Sequence, residues 1–154
     1  MAAMLVGLNE NFDLGVAVSS MKCGLLENLC QNSMICGEVS YLDYEGISVG
    51  LDEQKHIQAD LGPTAKNLIL RNHGLLTLGG TIQECFLRMF FQVKACEIQV
   101  MAVSAVGGDL SKLNYGDDKY REQMLLLVLI KKLEANVAQA MLLVLCDIDN
   151  NDHF

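Results

Sequence analysis

The sequence predicts a layered α/β domain, because short apolar runs typical of buried strands alternate with segments of helical spacing. Two observations support this prediction. The order of elements reads strand, helix, strand, strand and long helix. The composition also suits a folded chain: of 154 residues, 51% are hydrophobic and 19% are charged. A chain of this length and composition can bury the core of one domain.

The middle of the chain contains two consecutive strands. The continuous apolar run Leu68–Leu70 is bounded by Asn72–Gly74, which is typical of a short strand buried on both faces. Leu75–Leu78 continues as a second strand and ends at Gly79–Gly80. We therefore expect a tight turn at Asn72–Gly74, with Gly74 supplying an unusual φ angle.

A long helix follows the second strand. Thr81 and Glu84 have the spacing of a capping box, in which each side chain bonds the other residue's backbone N–H. Gly107–Gly108 ends the helix after about 24 residues, or ~36 Å. Apolar residues at steps of three and four predict its buried face: Ile82, Cys85, Phe86, Met89, Val93, Cys96, Val100 and Val103. Glu84, Arg88, Gln92 and Gln99 are expected elsewhere on its surface.

Three further residues, Leu87, Phe90 and Phe91, widen the apolar sector of this helix. Either another layer of the domain or a partner subunit must cover so broad a face.

The first 62 residues have weaker patterns. Asp52–Leu61 has helical spacing, and Val39–Leu42 alternates weakly like a strand. Propensity alone leaves Val16–Val18 open between strand and helix.

Charge and cysteine usage exclude several classes of function. The net charge of -8 repels phosphate backbones and anionic membrane surfaces, so neither nucleic acid nor a membrane surface is an expected partner.

No C-x-x-C pair occurs among the cysteines, so neither a zinc framework nor a redox motif is expected. The cysteines lie among apolar neighbours and predict a reduced, cytoplasmic chain. They are Cys23, Cys30, Cys36, Cys85, Cys96 and Cys146. The N-terminus lacks the basic residues of a secretory signal.

Several segments resemble the class II aldolase/adducin family, in particular its adducin head domains. The resemblance begins at Val16–Leu26 and resumes over Gly37–Tyr41, Asp43–Tyr44 and Gly46. It is closest over Leu61–Pro63, Leu68–Gly74 and Ala95–Val100. It covers about residues 14–120, and implies a three-layer α/β/α fold around a mixed sheet, with a helix at residues 13–22.

We accordingly expect three segments: an unmatched segment 1–13, a partial head domain 14–120, and a divergent, helical, apolar tail 121–154 with an acidic end. Because the family's first strands precede the matched region, the resemblance implies an incomplete domain, an N-terminally truncated head with an additional C-terminal helix.

The resemblance also implies where family chemistry would lie. The family's aldolases hold a divalent metal, usually zinc, with three histidines, two from a His-x-His pair and one just before a glycine, as in Asn72–Gly74. Here only His73 remains. Asn9 and Asn11 fall at the His-x-His positions, and asparagine is a poor replacement for imidazole around zinc. No catalytic residue, metal site or cofactor is therefore expected, and His73 is interpreted as a turn residue. No residue is seen to orient a Cys–His nucleophile pair at His73.

Two other candidates are weaker. His56 and His153 are interpreted as solvated. Asp147–Asp152 imitates the start of a calcium-binding EF-hand loop, but Asp152 replaces its glycine and the bidentate glutamate is missing, so it is interpreted as a solvated acidic tail.

The tail has a helical composition over Asp117–Cys146. Charged residues, among them Lys131 and Lys132, interrupt its apolar blocks, so it is not expected to span a membrane. Two interpretations stay open: a helix that docks in a groove of its own domain or of another subunit, or an aggregation-prone end.

The resemblance implies a non-enzymatic association module of the actin–spectrin cytoskeleton at the cytoplasmic side of the plasma membrane. Its implied partners are other adducin-type heads, as homo- or hetero-oligomers, with only indirect contact to actin and spectrin, since the family's neck and tail carry most of those contacts. The alternatives are a metal-dependent class II aldolase or epimerase, or a truncated product without independent function.

Overall fold

The structure, a computed structural model, describes residues 2–6, 13–43, 61–62 and 64–128. Its strands are β1 (Ala2–Val6), β2 (Val39–Leu42), β3 (Asn67–Leu70) and β4 (Gly74–Gly79). Its helices are α1 (Asp13–Ser19), α2 (Gln31–Cys36), α3 (Ile82–Ala105) and α4 (residues 118–128), with a 3-10 turn at Leu110–Lys112.

The strands form one mixed sheet in the order β1-β4-β3-β2. β2 and β3 are parallel, whereas β4 is antiparallel to both β3 and β1. The predicted strands at residues 39–42, 68–70 and 75–78 are confirmed. Val16–Val18, which propensity left open, lies in α1, as the family resemblance implied. The predicted helix Asp52–Leu61 lies outside the described residues, apart from Leu61, which is helical and buried.

β1 is an addition to the expected architecture. The family resemblance does not extend to residues 1–13, yet residues 2–6 pair with β4 in antiparallel register, from Ala2 opposite Gly79 to Val6 opposite Leu75. β4 is therefore an interior strand of the sheet, which agrees with the burial of Leu75 and Leu78.

Two hydrophobic cores lie on the two faces of the sheet, because successive strand side chains point to opposite faces. On one face, Ile69 and Leu75 pack with residues of α1 and α3, among them Val18, Met89 and Cys96. On the other face, Leu68, Leu78, Leu61 and Ala65 form a smaller cluster. The sheet is thus covered on both sides, in keeping with the expected α/β architecture.

The bounds predicted for the long helix are confirmed, since α3 has 24 residues and ends just before Gly107–Gly108. Its predicted buried face needs correction at four positions. Ile82 and Phe86 are 75% and 60% exposed, although their spacing placed them in the core. Gln92 and Gln99, which were expected on the surface, are both fully buried.

The helix start also differs from the prediction in one bond. Thr81 Oγ1 accepts from the Glu84 N–H at 3.2 Å, as a capping box requires. The Glu84 carboxylate reaches one residue further back than predicted and accepts from the Gly80 N–H at 2.9 Å. It also pairs with Arg88 one turn along the helix.

Within the described part of the chain, no helix combines the length and apolar character needed to cross a membrane.

Candidate functional site

His73 lies where the sequence placed it, in the turn between β3 and β4. The His73 N–H donates to the Leu70 carbonyl at 3.0 Å, and the side chain is exposed. The left-handed residue of the turn is Asn72, at φ 58°, whereas Gly74 is nearly extended at φ 159°. The expected unusual backbone angle therefore occurs two residues earlier, at asparagine, which tolerates this region better than most residues.

Arg71 anchors the same turn to the domain. Its backbone N–H donates to the Leu42 carbonyl at 2.8 Å and its Nη1 donates to the Met21 carbonyl at 2.7 Å. Its guanidinium also lies 4.3 Å from the centre of the Tyr41 ring, a cation–π contact. The turn beside His73 is therefore tied to β2 and to the loop after α1.

Tyr41 connects this anchor to the loop that follows. Its hydroxyl accepts from the Leu25 N–H at 3.0 Å. Burial raises the pKa of Tyr41, against the opposing effects of the Leu25 N–H and Arg71. Gly24, at φ 64°, lies against the Tyr41 ring so closely that any side chain there would collide with it. Tyr41 is therefore a structural residue that stays protonated and links β2 to the loop after α1.

Of the three ligand positions that the resemblance assigns to the family's metal centre, the structure describes only that of His73. Among them, no group of three or more His, Cys, Asp or Glu side chains is placed to hold a metal ion. Asn9, Asn11, His56, His153 and Asp147–Asp152 lie outside the described residues. The structure therefore places His73 in the turn between β3 and β4. No chemical step through a metal follows from the described geometry.

Gln99 is a structurally important residue that the sequence analysis placed wrongly. Its Oε1 accepts from the Leu26 N–H, and its Nε2 donates to the Gly24 carbonyl, both at 2.7 Å. These bonds satisfy a fully buried amide and hold the 24–26 loop on α3. Helical periodicity could not reveal this role, because the partners are backbone groups 73 and 75 residues away.

The described cysteines differ in burial, and Cys30 is half-buried. Cys36, Cys85 and Cys96 are buried, as expected of thiols that act as small hydrophobes. Cys23 is exposed, which corrects the expectation for that residue, and Cys146 lies outside the described residues. Burial raises the pKa of the Cys96 thiol to about 12 and raises that of Cys36 further. These two buried thiols are therefore held in their unreactive form.

The outward side of α3 carries an exposed apolar surface. We call it the outer face and define it by Ile82, Phe86, Leu87 and Phe90, which are each about half exposed or more. These residues lie within the first nine positions of the helix, so they form one continuous patch over its first turns. Of the three residues that the sequence analysis expected to need cover, Leu87 and Phe90 belong to this face, whereas Phe91 packs against the core.

The start of the predicted tail docks on its own domain. Arg121 forms an ion pair with Glu27 and donates from Nη2 to the Gly37 carbonyl at 3.1 Å. Asn28 Nδ2 donates to Asp118 at 2.6 Å, and the backbone carbonyl of Asn28 accepts from the Gly116 N–H. The described start of the tail therefore contacts its own domain near α2, whereas residues 129–154 lie outside the described residues.

Comparison with known proteins defines the class to which this fold belongs. The sequence profile described as Class II Aldolase and Adducin N-terminal domain matches residues 13–100. A crystal structure of an aldolase II superfamily protein from Pseudomonas syringae superposes with a TM-score of 0.66 at 34% identity, covering 80% of this chain and 46% of that one. The chain belongs to the class II aldolase/adducin N-terminal domain family.

Within that family, the chain has relatives of two kinds. It is 47% identical over 105 residues to gamma-adducin of Mus musculus, which covers 68% of this chain and 15% of gamma-adducin. It is 46% identical over 114 residues to a Caulobacter vibrioides protein whose name assigns it provisionally to aldolase class 2, covering 73% of this chain and 44% of that protein. The chain thus spans less than half the length of either relative.

Proposed function

We propose that this domain is a non-catalytic, adducin-like head that acts as a protein association module, with other adducin-type heads as partners. The observation that carries the proposal is the outer face of α3, an apolar patch over the first turns of a long, well-anchored helix. Patches of adjacent exposed aromatic and aliphatic side chains mark protein interaction sites more often than scattered single residues do.

The rest of the proposal draws on the family. The similarity to gamma-adducin supports a place in the actin–spectrin cytoskeleton, on the cytoplasmic side of the plasma membrane, with contact to actin and spectrin through partners. The division expected from the sequence, with a head domain at 14–120 and a divergent tail from 121, belongs to the same proposal.

The test is the oligomeric state of the full chain in solution. Size-exclusion chromatography with light scattering should give a dimer or larger species at micromolar concentration. The variant Phe86→Ser/Phe90→Ser should shift the population to monomer without lowering helical content, because both side chains are exposed in the isolated domain.

Met101→Ser is the matched control. Met101 is an exposed apolar residue on the same helix, 63% exposed, but it lies 11 residues beyond Phe90. It should leave association unchanged. A wild-type chain that stays monomeric, or equal effects of the two variants, would overturn the proposal.

A second candidate is a class II aldolase-type lyase, which is favoured by the Caulobacter relative and by the exposed position of His73 in the turn. Metal analysis of the purified full chain separates the two candidates. Stoichiometric zinc that is lost in His73→Ala would favour the enzyme, whereas association that depends on Phe86 and Phe90, without bound metal, favours the module.

A further inference from the structure

The interior of the domain contains two fully buried polar side chains with atoms that lack a hydrogen-bond partner. Gln92 on α3 is fully buried, and neither its Oε1 nor its Nε2 has a hydrogen-bond partner. Asn67 on β3 is 1% exposed, and its Oδ1 is likewise unpaired. Leaving a buried amide unsatisfied destabilises a fold, so buried groups of this kind are nearly always hydrogen-bonded.

Both side chains lie on elements that pack around Cys36, which stands at the end of α2. Asn67 Nδ2 donates to the Cys36 carbonyl at 2.5 Å. Cys36 and Cys96 belong to the same buried core, and Cys96 lies one helical turn after Gln92 on α3. The end of α2 therefore faces the turn of α3 that carries Gln92, and it contacts β3 through Asn67.

The surrounding packing allows no exit to solvent for these groups. Cys36, Cys96 and Ile69 belong to the same buried core, and Ile69 extends from the same face of β3 as Asn67 because it is two residues further along the strand. Thr77, opposite Asn67 in the sheet, is fully buried and donates to the Cys85 carbonyl of α3 at 3.0 Å. The unmet groups thus lie in a polar strip between the sheet and α3.

We propose that this strip is a binding site for internal water, held between Asn67 and Gln92. The unmet groups are two acceptor oxygens and one N–H donor group, and a water molecule can donate two hydrogen bonds and accept two. Buried waters typically make about three bonds to otherwise unsatisfied polar groups. The bound water links β3 to α3 beside the end of α2 and so fixes the position of the helix that carries the outer face.

The first experiment is a thermal unfolding comparison of the full chain with Gln92→Met. Methionine has a similar length and no amide, so it removes the water's partner and leaves Asn67 Oδ1 unmet. The expected result is a fall in Tm of about 2–6 °C. If no water were bound, the same change would remove two unmet polar atoms from the core, and Tm would stay the same or rise.

Gln99→Met is the matched control, because Gln99 is equally buried on the same helix but bonds directly to the Leu26 N–H and the Gly24 carbonyl. It must lower Tm whether or not water is bound at Gln92, which shows that the measurement detects a lost buried amide.

The second experiment needs no variant. A crystal structure of the full chain at about 1.8 Å resolution or better should show ordered solvent within hydrogen-bond distance of Asn67 Oδ1 and of the Gln92 amide. Direct bonding of the Gln92 amide to another protein group, or an unchanged or raised Tm in Gln92→Met, would overturn the proposal.

Discussion

The inward side and the outer face of α3 both carry large apolar side chains, but they differ in what those side chains contact. The inward side packs Met89, Val93 and Cys96 into the core against the sheet and buries two glutamines among them. The outer face leaves Ile82 and Phe86 in solvent. The comparison shows that hydrophobicity does not by itself decide which side of a helix is buried. The partner groups supplied by the rest of the fold decide it, as the bonds of Gln99 to the 24–26 loop demonstrate.

The difference also separates two roles on one helix. The inward side holds the domain together, so changes there should act on stability. The outer face is available for association, so changes there should act on oligomeric state with little effect on folding.

The largest expected effect is a core truncation on the inward side. Met89→Ala should lower the free energy of unfolding by about 2–5 kcal/mol, because Met89 is buried and its loss leaves a cavity. Phe86→Ala, on the outer face of the same helix turn, should cost about 0.5 kcal/mol or less. Urea unfolding of both variants at a concentration where the chain is monomeric checks the pair. Similar losses in the two variants would contradict the assignment of the two sides.

The next effect is a loss of stability at alkaline pH that originates on the inward side. Burial raises the pKa of Cys96 from 9.0 to about 12 and also raises that of Cys36. In the unfolded chain these thiols lose their protons above about pH 9, while in the folded chain they keep them. Rising pH therefore stabilises the unfolded state relative to the folded state. The free energy of unfolding keeps its full value below about pH 9 and falls above it.

Each buried thiol should contribute up to about 1.4 kcal/mol of lost stability per pH unit between its unfolded and folded pKa. Urea midpoints measured at several pH values between about 8 and 10.5 test this slope. Cys96→Ala should show a smaller slope than the wild type, whatever its stability at neutral pH. An equal slope in the variant would show that Cys96 ionises alike in both states.

Much of the fold is predictable from sequence, because local patterns encode it. The strands at residues 68–70 and 75–78 are short apolar runs bounded by turn residues, and α3 has both a side-chain cap and a glycine pair at its end. The turn that carries His73 follows from the same boundaries. These features depend on residues close together in the chain, which is why one sequence suffices to find them.

What could not be predicted depends on distant partners. The burial of Gln99 requires backbone groups of the 24–26 loop, and that of Gln92 requires the packing of α2 and β3 on α3. β1 lies outside the segments that resemble the family, and its pairing with β4 spans more than 65 residues of sequence. In the His73 turn, the left-handed backbone occurs at Asn72, because asparagine tolerates that region. The sequence alone could not assign it, because Gly74 in the same turn is also a candidate.

The smallest effect concerns the start of α3, which supports both sides of the helix equally. Thr81→Ala removes the Oγ1 that accepts from the Glu84 N–H, and should lower the free energy of unfolding by about 1 kcal/mol. Thr81→Ser keeps this oxygen and should recover most of the loss. The bond from the Gly80 N–H to the Glu84 carboxylate remains in both variants, so the helix should keep its length. If alanine and serine gave equal urea midpoints, the cap would contribute nothing, and the position of both faces would depend on core packing alone.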